Sequence, residues 1–251
     1  KMANMGFNTT AGIQYETYDW NSVFVHAQGM VPTQTNVDKA TSQTVYHDRS
    51  KRQDRGQFFQ TEGTIGDNIY AAFGMRGDLS STMGDTETMH WYPKMAASYQ
   101  FGEFAGLFDN LKLRFARGET GNMPNPSAKY NSMSSYNIGG VNGVMNSSTE
   151  GNPDIKPERT AETEFGVDFS VMSGLATVEL SMYQQNISDL ILLVDKAASS
   201  GASHAWENGG EMTTNGIELT LGLSPTKLVN MGGVDWNFQM TYYKNESEVT
   251  K

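Results

Sequence analysis

Four histidines, 28 acidic side chains and a few glycine-rich turns are the residues of this 251-residue chain that could carry covalent or metal chemistry. His26, His47, His90 and His204 lie far apart and show no pair at the i, i+4 spacing of a zinc-binding H-E-x-x-H helix. His90 and His204 fall in polar loop stretches and read as solvated loop residues. GASHA lacks the glycine spacing of a nucleophile elbow. GGVNG lacks the Lys-Ser/Thr that completes a phosphate-binding loop. With no cysteine, thiol catalysis, zinc ribbons and disulfide scaffolds are excluded. The expectation is therefore a non-enzyme with no metal and no cofactor. Net charge is −10, which disfavours a nucleic-acid partner.

The charges that remain are ordered by strands. No stretch approaches the roughly 18 apolar residues of a membrane-crossing helix. Mean hydropathy is −0.50, which suits a soluble β-protein or a membrane barrel, since a barrel strand needs apolar residues only at alternate positions. That alternation recurs along the chain. Phe7, Thr9, Ala11, Ile13 and Tyr15 face one way and Asn8, Thr10, Gly12 and Gln14 the other. ETYDWN then reads as a brief turn into SVFVHAQG, and a polar loop runs to about Arg55. GQFFQTEGT and NIYAAFGMRGD follow around a tight IGD turn, then LSSTMGDTETMH and the strand WYPKMAASYQF. A turn of about eight residues precedes LKLRFARGE, and a loop of about forty leads to GNPDIKPERT, where Pro153 and Pro157 forbid helix. Then come ETEFGVDFS, a VMSG turn, ATVELSMYQQ, the loop NISDLILLVDKAASSGASHAWENGGEM, TTNGIELTLGL, a turn of about ten residues and VDWNFQMTYY.

That pattern predicts an all-β fold: an antiparallel transmembrane β-barrel segment of about ten strands, with long connections at one end and short ones at the other. Aromatics at strand ends (Phe7, Tyr15, Trp91, Phe101, Trp236, Tyr242) suit interfacial girdles. A soluble β-sandwich shows the same alternation and stays open as a reading of the pattern. On the barrel reading, Arg76, Asp78, Lys94, Lys112, Arg114, Glu164, Asp168, Glu179 and Glu218 face the lumen, where they solvate the wall or line a substrate path. Tyr130, Tyr136, His204 and Trp206 sit in long loops rich in Asn, Ser and Gly. Aromatic faces beside amide and hydroxyl groups suit sugars or peptides.

Several stretches go beyond pattern. GNPDIKPERTAETEFGVDFS resembles the "GNPDLKPE…E.G.D" stretch of SusC/RagA-like TonB-dependent outer-membrane transporters. Arg76, Asp78, Ser80 and Ser81, then Tyr92-Pro93, then Leu111 to Arg114 with Gly118, Thr120, Gly121 and Asn122, follow the family's block order. Asn208, Gly209, Asn215, Gly216, Ile217, Glu218 and Leu219 resemble its "N.G...N.GIEL.L" block. The resemblance spans roughly residues 57–251 and departs at Tyr99, where the family has Trp. It implies a plugged barrel of about 22 strands, of which residues 1–251 form part of a single barrel domain. The signal peptide, plug, TonB-contacting segment and remaining strands would lie outside this chain. It also implies an outer-membrane location and import of an oligosaccharide or oligopeptide. The implied partners are a SusD-like surface lipoprotein, TonB-ExbB-ExbD acting through the plug, and outer-membrane lipid. A passive porin or adhesin barrel and a soluble carbohydrate-binding sandwich are the alternatives.

Overall fold

Where the strands of this protein share one wall they show one apolar face, and among the described residues no second layer covers it. The computed structural model describes residues 4–227 and 232–251. Nine strands form one antiparallel sheet: β1 (Met5–Gln28), β2 (Ser42–Ile65), β3 (Ile69–Ser80), β4 (His90–Phe104), β5 (Phe108–Asn122), β9 (Glu158–Val171), β10 (Ala176–Ser188), β13 (Met212–Leu223) and β14 (Phe238–Val249). Wall neighbours follow chain order, an up-and-down meander with β1 and β14 at its edges. The other strands lie in the long connections: the hairpin β6 (Met133–Ile138) and β7 (Val141–Asn146), and a small sheet of β8 (Thr149–Glu150), β11 (Ile191–Asp195) and β12 (His204–Asn208).

Side chains alternate across a strand, so the registers decide the faces. One set of cross-strand partners runs across the wall: Ile13–Gln57, Phe59–Met75, Phe73–Met95, Ala97–Phe115, Phe115–Phe165, Leu180–Val167, Leu180–Leu219 and Leu219–Tyr242. This face is apolar and exposed: Ile13 is 89% and Phe165 60% accessible. Near the short-turn end, Tyr99, Phe101, Phe104, Phe108 and Phe169 form a chain of ring contacts with centroids 4.6 to 6.4 Å apart. Such a girdle marks a membrane interface. Because no sheet packs on the apolar face among the described residues, the sandwich reading does not hold.

The connections sort by end. Residues 66–68, 105–107, 172–175 and 224–237 join strands at one rim; 29–41, 81–89, 123–157 and 189–211 join them at the other. Several expectations change. ETYDWN is not a turn: β1 runs through it, and β2 begins at Ser42 rather than near Arg55. The wall therefore has nine strands, two of them 24 residues long. The eight-residue turn shrinks to Ala105–Leu107, with a bulge at Gly102 and positive φ at Ala105 and Gly106, the left-handed geometry of a tight hairpin. β14 begins at Phe238, so Val234 to Asn237 precede it. The ten-residue turn SPTKLVNMGG lies partly outside the described residues.

Candidate functional site: a polar wall beneath a cross-braced cap

The face opposite the apolar one is charged. Its registers place Arg76, Asp78, Lys94, Lys112, Arg114, Glu164, Asp168, Glu179 and Glu218 together on it. Arg114 is the best-connected of them. Its guanidinium meets Asp168 in a two-pronged contact of 2.8 and 2.9 Å and reaches Glu164 and the Ser181 hydroxyl, both at 3.1 Å. The planar fork matches a carboxylate, which fixes Arg114 against the wall across Gly166. Arg76 does the same with Asp78 and adds Gln14 at 3.1 Å. Farther toward the short turns, Glu62 accepts from Asn8 and Tyr70, both at 2.9 Å. Glu218, opposite Ser181 and Tyr243, has no partner among the described residues.

Charge is unevenly shared along this face. Lys94, Lys112 and Arg76 stand on β3 to β5, while Glu162, Glu164, Asp168, Glu179 and Glu218 stand on β9, β10 and β13. Within the acidic half is a recess of about 550 Å³ bounded by Glu162, Glu164, Tyr183, Glu218 and Asn245. Tyr183 was not singled out from the sequence. It pairs with Gly216, and a Cβ there would come 2.2 Å from the ring, so the phenol lies flat on the wall. Only the register could have revealed this, because the glycine's neighbour is 33 residues away.

The long-loop end carries most of the buried residues. Met83, Ala128 and Ile155 are fully buried, in three different stretches of two loops. Gly84 donates its N–H to the Ile155 carbonyl at 2.8 Å, and a Cβ on Gly84 would stand 2.2 Å from the Pro153 carbonyl oxygen. Lys129 donates to the Ser81 and Met83 carbonyls at 2.7 and 3.1 Å. Asn208 of β12 accepts from the Lys156 N–H at 2.8 Å and donates to the Lys156 and Asp189 carbonyls. The GNPDIKP stretch is thus a strap. It turns at Pro153–Asp154, where the Ile155 N–H donates to the Asn152 carbonyl at 3.2 Å, and it ties 81–89 on one side to 189–211 on the other.

The loop aromatics do not converge. Tyr130 lies beside the strap beneath Lys129, whose ammonium is 5.0 Å from its ring. Tyr136 stands on the β6–β7 hairpin, half exposed. His204 faces Asp195 at 3.3 Å across the β11–β12 pair. Trp206 lines a cleft of about 560 Å³ with Asn152, Asp154, Lys156, Asp189 and Asn208. In the 81–89 loop, the Thr88 hydroxyl and the N–H groups of Glu87 and Thr88 hold the Asp85 carboxyl below the usual aspartate range. No cluster of three metal-ligating side chains occurs among the described residues.

An open wall with one apolar face, one ion-paired face and all its long loops at one rim is the architecture of part of an outer-membrane barrel. The sequence profile described as "TonB dependent receptor-like, beta-barrel" matches residues 2–250. The chain belongs to this family. It forms part of a β-barrel of the bacterial outer membrane. Two TonB-dependent receptors of Formosa agariphila are similar, at 23% identity over 69% of this chain and 26% over 70%. The chain spans only 18% and 17% of their lengths. Among solved structures, the RagAB peptide transporter superposes with a TM-score of 0.82 over 98% of this chain and 28% of its own, at 19% identity. The outer-membrane transporter YddB from Escherichia coli gives 0.65 over 99% and 32%, at 13% identity. At these identities the structural likeness shows the fold of the receptor barrel. Family members are receptors and transporters rather than enzymes.

Proposed function

We propose that the protein to which this chain belongs imports an oligopeptide or oligosaccharide across the outer membrane. TonB would supply the energy through a plug, and a SusD-like lipoprotein would cover the long-loop rim. The chain itself would form part of a single barrel domain. The observation that carries this reading is the two-faced wall: an apolar outside and an inside of ion-paired side chains that a water-filled or plugged lumen keeps solvated. On this reading Arg76, Asp78, Lys94, Lys112, Arg114, Glu164, Asp168 and Glu218 line the substrate path or steady the plug. Tyr130, Tyr136, His204 and Trp206 meet cargo or the covering protein. The likeness to a peptide transporter favours peptide over sugar.

Uptake by cells making the full-length protein tests the proposal. Labelled oligopeptides and oligosaccharides are offered with and without a protonophore. Import that stops when the inner membrane is de-energised is expected. Import indifferent to the protonophore would mean a passive pore, and no import of either class would overturn the reading.

A further inference from the structure

The β1–β2 pair rises well beyond the rest of the wall. β3 leaves β2 at Asp54–Ser80, yet β1 and β2 stay paired without a register break to Gln28–Ser42. A two-stranded ribbon thus continues above the long-loop rim, and its two faces inherit those of the wall below. On the face continuous with Ile13 and Phe59 stand Arg55, Lys51 and Arg49, with His47 above them and Asp19 as the acid opposite Lys51. On the other stand Glu16, Asp48 and Asp54 with Arg52, and Arg52 is held by Asp54 at 2.9 Å. A chain of net charge −10 thus places three cations and one acid on the membrane side of this ribbon, and three acids and one cation on the other.

The outward cations keep free donors. Arg55 lies 5.8 Å from the Tyr15 ring centroid, a contact that leaves its N–H groups available. Arg49 uses Nε on His47, whose ring also meets Asn21, and its terminal nitrogens are unengaged among the described residues. Lys51 has no carboxylate within salt-bridge distance there, Asp19 included. Tyr15 closes the outward apolar run of β1, so Arg55 stands at the hydrocarbon boundary. With a rise of about 3.3 Å per residue and a tilt near 40°, Lys51 and Arg49 stand about 10 and 15 Å higher. The polar layer of an ordinary phospholipid is only about 5–7 Å deep on each side. Arg55 can reach a phospholipid phosphate, and the greater heights of Lys51 and Arg49 match phosphates carried higher, on sugars.

We infer that the outward face of the β1–β2 ribbon binds the phosphorylated sugar headgroups of glycolipids in the outer leaflet. Arg55, Lys51 and Arg49 contact phosphates at successive heights, and the barrel acquires a fixed contact with the surrounding leaflet. The interaction is electrostatic, so it weakens with salt.

The test uses the full-length receptor in nanodiscs of phosphatidylcholine doped with either lipopolysaccharide or phosphatidylglycerol. Bound lipid is counted by native mass spectrometry and by phosphate assay across a salt series. Wild type is expected to retain lipopolysaccharide in preference to phosphatidylglycerol. The combined Arg49→Gln, Lys51→Gln, Arg55→Gln variant is expected to bind it about 100-fold more weakly. Arg52→Gln, on the opposite face, serves as control and is expected to bind like wild type. Heat-modified gel mobility establishes that each variant is folded, and single substitutions replace the triple if it is not. Equal retention by triple variant and wild type would overturn the inference. So would equal retention of the two lipids, which would remove the argument from height.

Discussion

Ile155→Ala tests whether the strap holds the cap together. Ile155 is 1% exposed, and its carbonyl accepts from Gly84 across the two loops. Truncating a fully buried isoleucine costs about 2–5 kcal/mol, part transfer and part residual cavity. At about 1.4 kcal/mol per factor of ten, opening of the cap becomes about 30- to 4,000-fold more frequent. The cost falls on loops rather than wall, because the wall strands are held by their own ladders and by lipid. Hydrogen exchange on the full-length receptor in micelles separates the two. Protection should fall at the Gly84, Asn152 and Ile155 amides, which all bond within the cap, and hold in the β10–β13 ladder around Leu180 and Leu219. Gly84→Ala should reproduce the loss by a different route, its Cβ colliding with the Pro153 carbonyl. Unchanged exchange at these amides, or equal loosening of the wall, would refute the strap.

Leu219→Arg places charge on the lipid face and should cost about 2–4 kcal/mol in a urea titration of the refolded barrel, whereas Glu218→Arg on the polar face should cost far less; equal costs would reverse the facing. Gly216→Ala should lift the Tyr183 ring off the wall, read as increased acrylamide quenching in a variant keeping Tyr183 as the reporter; unaltered quenching would mean the ring does not lie there. The folded-state pKa of Asp85 is lowered, so the support its turn gives the 81–89 loop is present above the ordinary aspartate value of 3.8 and is lost as pH falls through the lower folded value. A carboxyl carbon titration should place that midpoint below 3.8, and a midpoint at or above it would contradict the hydrogen bonds from Glu87 and Thr88.

The wall was legible because its chemistry has the period of its geometry. Lipid tolerates no charge at Phe73, Phe115, Leu180 or Leu219, and the residues between them are free to be polar, so every second position announces its face. Legibility ends where lipid does. Glu16, Thr17, Asp19 and Asn21 look like a turn because a ribbon standing in water has two wet faces and no period to show. The β4–β5 turn was read too long because Gly102 and Phe104 break the alternation at a bulge. In the cap, prolines 153 and 157 announced a stretch without helix, but nothing local said that it turns at Pro153–Asp154 or that its far side meets Gly84. Tyr183 was invisible for the same reason: its meaning lies in a glycine on another strand.

Met83, Ala128 and Ile155 have a consequence for how such a receptor can diversify. The wall below holds few dry contacts of its own, while the cap has a small interior that it assembles from its own connections. Cap and wall meet chiefly at strand tips, so a whole cap grafted from a relative could keep its shape on a foreign wall, provided strap and seat travel together. The long-loop rim can then change as one packed unit while the lipid-facing scaffold stays untouched.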